Sequence, residues 1–220
     1  MNSPKIPVYF MPGMAASPLI FEHIRLPEDR YETCFLEWMP PHKNESLKAY
    51  AGRMCKRITH DSPVLIGVSF GGMLVQEMAK YVKAKKVIIV SSVKCRDELP
   101  AKMLFARYTG IHRLLPTGLV NNVELLARYA FGEAVSKRLE MYERYLAVKD
   151  KKYIDWAIDA IVRWDREEIL PGIVHIHGER DPVFPIARIK DCIRIKRGTH
   201  IMIINRYKWF NEHLPSLIAN

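Results

Sequence analysis

Residues 67–73 read GVSFGGM and follow directly on the apolar run Val64-Leu65-Ile66. Three glycines crowd one serine at the end of what reads as a buried strand. Glycine weakens regular structure, so its use is to let the backbone bend sharply or be approached closely. A strand ending at Ile66, a turn over Gly67-Val68-Ser69-Phe70-Gly71 and a helix starting near Gly71 give the G-x-S-x-G pattern in its strand-turn-helix setting. That setting exposes the serine hydroxyl with a helix N-terminus behind it. The competing use of such a serine is to cap the helix, since Ser is a favoured N-cap. Ser69 is the candidate nucleophile.

Outward from this turn, short apolar runs recur at 6–10 (IPVYF), 33–38 (TCFLEW), 63–67 (PVLIG), 86–90 (KVIIV), 172–178 (GIVHIHG) and 192–195 (CIRI). They are short, β-branched and bounded by turn residues, as buried strands are. Helical periodicity fills several gaps, over Leu47 to Thr59, Gly71 to Lys83 and His200 to Leu214. Strand and helix alternating in this way predict an α/β fold, a mainly parallel sheet of about six strands with helices on both faces. One insertion breaks the rhythm. From Lys94 to Glu168 no strand is evident, while Val120 to Tyr129, Val135 to Ala147 and Tyr153 to Val162 show helical spacing. The expected organisation is therefore a core of residues 1–93 and 169–220, interrupted at 94–168 by a helical lid over the strand ends, where open α/β sheets take their ligands. Aromatic residues are frequent in the insertion, and at helical spacing they read first as packing.

The totals fit one soluble domain: 220 residues, 49% hydrophobic and 26% charged. A formal charge of +10 favours anionic partners in general. Its lysines and arginines are scattered, however, without the aromatic interleaving or binding module of a nucleic-acid protein, so a solvated basic face is expected rather than nucleic-acid binding. Cys34, Cys55, Cys95 and Cys192 show no metal or disulfide spacing, and reduced thiols are expected. Prolines interrupt the N-terminal stretch, and no apolar run is long enough for a bilayer, which predicts a cytoplasmic protein without stable membrane insertion.

A serine hydroxyl needs a base to take its proton and a group to orient that base. The segment HIHGERDPVFP places Asp181 just after an apolar strand, and RGTHIMIINR places His200 after the last strand at the head of the final helix. The order Ser69, Asp181, His200 is that of one known triad topology. Glu179 shares the Asp181 loop and is the alternative acid. His175 and His177 alternate onto one face of a strand; with no further ligands evident, packing is favoured over a metal pair, and no metal or cofactor is expected.

On three motifs, PGMAAS at 12–17, GVSFGG at 67–72 and HGERDPVFP with GTH near the C-terminus, the chain resembles a small member of the α/β-hydrolase superfamily from first strand to last helix. The resemblance implies a core trimmed to begin at the family's third strand. It also implies an oxyanion hole made by the backbone N–H groups of Met14 and Phe70, with Gly13 allowing close approach. Many of the family carry His where this chain has Pro12. The implied activity is cleavage of a small-molecule ester or thioester, by a carboxylesterase or acyl-thioesterase, through an acyl-enzyme on Ser69 with His200 as base and Asp181 as its orienting acid. A hydrolase-fold binding protein or receptor with little turnover is the second reading. Met103, Leu104, Phe105, Leu114, Leu115 and Trp156 would offer an apolar surface from the lid, and Lys102, Arg107 and Arg113 a cationic one. The sequence leaves oligomeric state and physiological substrate open.

Overall fold

The computed structural model describes residues 4–114, 144–148 and 150–219. Six strands form one parallel sheet: β1 (Ile6–Met11), β2 (Tyr31–Phe35), β3 (Val64–Val68), β4 (Lys86–Val90), β5 (Val174–Gly178) and β6 (Ile193–Ile195), in the order β2-β1-β3-β4-β5-β6. All six expected runs form strands. The second starts two residues earlier than its apolar run and stops at Phe35, so Leu36 to Trp38 leave the sheet.

Side chains alternate across the strands and build a core on each face. Tyr9, Met11, Leu65, Val87 and Ile89 pack on one side with helices α1 (Leu47–Cys55) and α2 (Phe70–Met78). Val8, Phe10, Val64, Ile66, Ile88, Val90 and Ile176 pack on the other with α5 (Met202–Asn205) and α6 (Tyr207–Ala219). Between β4 and β5 the described part of the insertion supplies α3 (Ala101–Thr109) and α4 (Lys151–Val162).

Several expected helices differ in extent. The run 47–59 leaves α-geometry after Cys55, where the N–H groups of Lys56, Arg57 and Ile58 bond three residues back and tighten the turn. The run 200–214 is two helices, interrupted at Arg206 (φ −117°, ψ 21°), and the second passes through Pro215 to Ala219 because Leu214 and Ile218 are both buried. The expected helix 120–129 lies outside the described residues, as does most of 135–147. Arg144 to Ala147 are not helical: Leu146 makes an isolated antiparallel bridge with Ala16, so this end of the insertion docks on the loop after β1.

Chain order reverses at β1, with β2 on one side and β3 on the other. Loops leaving β1 and β3 at their C-terminal ends therefore diverge and open a crevice, the place where such sheets accept ligands. Gly13 lies in the first loop and Ser69 in the second.

Candidate active site

Ser69 joins β3 to α2 with φ 52° and ψ −120°, a conformation that a residue with a Cβ rarely adopts. Its hydroxyl makes no helix-capping bond. Instead Oγ lies 2.9 Å from His200 Nε2. The turn is fixed by its backbone, with Ser69 N–H donating to Val90 O at 2.9 Å and the Ser92 hydroxyl donating to Ser69 O at 2.7 Å. Gly71 is required here, since a Cβ would collide with the carbonyls of Pro12 and Met11 and push α2 off the loop after β1.

His200 Nδ1 donates to the Asp181 carboxylate, 2.9 Å from Oδ2 and 3.1 Å from Oδ1. An acceptor-only carboxylate at Nδ1 leaves Nε2 as the nitrogen able to take the Ser69 proton. Asp181 is itself held: its Oδ1 accepts from Val183 N–H at 2.8 Å and Phe184 N–H at 3.0 Å. Burial pushes its pKa up, but the His200 ring and the Phe184 N–H outweigh this and hold it below the ordinary value. Glu179 is exposed, and its carboxylate accepts from Arg197 N–H at 3.2 Å. The Asp181 and His200 loops are tied together by Arg180 N–H to Gly198 O (2.8 Å) and Glu179 N–H to Ile195 O (3.2 Å). Gly178 permits this approach, because a Cβ there would meet the Gly198 carbonyl.

Gly13 and Met14, with Ala16, Ile20, Ile201, Ile203 and Ile204, line a cavity of about 20 Å³ at Ser69 and His200. It has room for about one water. A far larger cleft of about 1080 Å³ runs between Pro41–Lys48 and α4, and its lining includes neither Ser69 nor His200.

No protein-family model matches the chain, and no curated protein does. Solved structures do. The chain superposes on a hydrolase from Pseudomonas aeruginosa PA01 with TM-score 0.73 at 12% identity, covering 98% of this chain and 91% of that one. An enol-lactonase from Burkholderia xenovorans LB400 gives TM-score 0.72 at 14% identity, over 99% and 93% of the two chains. An esterase from Exiguobacterium antarcticum gives 0.70 at 19%, over 100% and 94%. This chain has the α/β-hydrolase fold. At these identities the likeness is one of fold, and what chemistry the chain performs has to be argued from its own residues.

Around the Ser69–His200–Asp181 cluster the fold adds groups that sequence reasoning missed. Phe184 donates its N–H to Asp181, sets its ring edge-on to His200 at 5.7 Å and accepts on its carbonyl from His177 Nε2 at 2.8 Å. His177 Nδ1 lies 3.1 Å from His175 Nε2, so each histidine spends one ring nitrogen on the other. Burial lowers the pKa of both. Among the described residues, Glu32, Cys34 and His60 bring three potential metal-ligand atoms within 4.8 Å of one another, and this set shares no residue with the Ser69 cluster.

The expected lid residues divide. Trp156 packs on Tyr50 (4.5 Å) and Phe70 (5.7 Å) and donates to Glu45 O, and Met103 and Leu104 rest against the core. Phe105 is 62% exposed and Lys102 is exposed. Arg107 donates to Trp164 O and Arg113 to Asp159, which gives both guanidinium groups protein partners. Leu115 lies outside the described residues. No described helix is long and apolar enough to cross a membrane.

Proposed function

We propose that the chain is a serine hydrolase cleaving a small-molecule carboxylic ester or thioester. Ser69 Oγ attacks the carbonyl while His200 Nε2 takes its proton, and Asp181 holds the imidazole in the tautomer that can do so. His200 then protonates the leaving group and activates a water for deacylation. Backbone N–H groups of Met14 and Phe70 bind the oxyanion in both steps, and residues 94–168 act as the lid. The observation that carries the reading is the 2.9 Å approach of His200 Nε2 to a serine hydroxyl on a strained strand-to-helix turn. The aliphatic lining by Ile20, Ile201 and Ile203 favours an apolar group beside the reacting carbonyl.

Turnover of p-nitrophenyl esters of increasing acyl length and of acyl-CoA thioesters by the purified chain tests this and separates esterase from thioesterase. Ser69→Ala should lose about 10⁴-fold or more in kcat while remaining folded. Wild-type protein that binds these compounds without turning them over would favour a receptor, and an active Ser69→Ala would overturn the assignment.

A further inference from the structure

Trp38 lies outside the Ser69 cluster, three residues beyond the end of β2, yet it contacts the peptide that carries one proposed oxyanion donor and the side chain of the residue that carries the other. Its indole Nε1 donates to Gly13 O at 2.7 Å. Its ring stacks on Phe70, with centroids 4.9 Å apart and planes 8° from parallel. In a trans peptide the C=O and the following N–H point in opposite directions within one plane. Fixing the Gly13 carbonyl therefore fixes the Met14 N–H, and the stacked ring holds the residue that carries the other donor.

The next peptide is fixed from the far side. Ala15 sits at φ 61°, in the third position of a turn closed by Ala16 N–H to Gly13 O at 3.1 Å. Glycine or Asn normally fills that position, so this turn persists because its surroundings hold it. Ala15 N–H donates to the Tyr153 hydroxyl at 3.2 Å, and Ala15 O accepts from the N–H groups of Ala147 (2.9 Å) and Val148 (3.1 Å). Both peptide planes flanking the Met14 α-carbon are thus clamped by buried aromatic side chains, Trp38 from the core and Tyr153 from α4 of the insertion. The two rings lie 5.5 Å apart and share one cluster with Tyr50 and Phe70. Burial pushes the Tyr153 pKa well up, so its hydroxyl remains neutral.

We infer that Trp38 and Tyr153 are positioning residues for the oxyanion hole: Trp38 sets the two N–H donors relative to each other, and Tyr153 holds the strained residue after Met14. The inference rests on the acyl-enzyme reading above and adds to it a dependence of transition-state binding on two side chains that touch no reacting atom.

Trp38→Phe keeps an aromatic ring on Phe70 and removes the N–H, and Tyr153→Phe removes only a hydroxyl. With p-nitrophenyl acetate, Trp38→Phe should lower kcat roughly 10- to 100-fold and Tyr153→Phe roughly 3- to 10-fold, with KM within about twofold, because the lost alignment acts on the charged intermediate. Affinity for an alkyl boronic acid, whose adduct with Ser69 places an oxygen in the oxyanion hole, should fall by the same factors. A merely structural tryptophan would lower the melting temperature and leave kcat and boronate affinity of the folded fraction unchanged, and that result overturns the inference. If Trp38→Phe fails to fold, Tyr153→Phe decides by the same two readouts. An inactive wild type would instead overturn the acyl-enzyme reading itself.

Discussion

At Ser69 backbone strain and the proposed reactivity share one conformation. A residue with a Cβ at φ 52°, ψ −120° carries strain of about 1–3 kcal/mol, which glycine relieves. Ser69→Gly should raise unfolding free energy by about 1–2 kcal/mol in urea titration while abolishing hydrolysis. A destabilised Ser69→Gly would mean that the Ser69–His200 hydrogen bond outweighs the strain. Asp181→Asn separates orientation from folding. The Asn oxygen can still accept from Val183 and Phe184, but its amide presents a donor to His200 Nδ1 and favours the tautomer that cannot take the Ser69 proton. The expected loss is about 10⁴-fold in kcat with circular dichroism unchanged. Loss below tenfold would show that Asp181 does not set the tautomer.

Each element that carries a site residue ends in a turn whose chemistry is visible locally. GVSFGG, HGERDP and GTH made Ser69, Asp181 and His200 legible without coordinates, because strand ends in a parallel sheet gather on one edge whatever lies between them. Trp38 and Tyr153 were not legible in this role. Their bonds to Gly13 and Ala15 cross 25 and 138 residues, and no local pattern encodes such a contact. Helix limits failed for a related reason: apolar spacing continues through Ile58 whether the last turn is α or tighter. Close packing between elements gives its own prediction. Gly71→Ala drives a methyl group into the carbonyls of Met11 and Pro12, so it should cost about 3 kcal/mol and lower Tm by roughly 6–12 °C. An unshifted Tm would mean that α2 and the loop after β1 can separate without cost.

At the scale of the whole molecule, two buried histidines of β5 make stability fall as the pH drops. His175 and His177 have lowered native pKa values, so from pH 6.5 down to those values the unfolded chain takes up protons that the folded chain refuses. Stability is full above that window and falls with pH inside it, by at most about 1.4 kcal/mol per pH unit for each histidine. Asp181, also lowered, adds to the loss only further down, below the ordinary Asp value. Urea midpoints measured from pH 7.5 to 5 should decline, and His175→Phe should flatten that decline; an unchanged slope would remove His175 from the account. All of the proposed chemistry depends on one hydroxyl being activated where β3 meets α2. A fluorophosphonate probe reports this directly by mass spectrometry of the intact chain and of its peptides. The predicted result is one adduct per chain, on the peptide containing Ser69, absent from Ser69→Ala and strongly slowed in His200→Ala. Labelling at another serine, or wild-type protein that stays unlabelled, would contradict it.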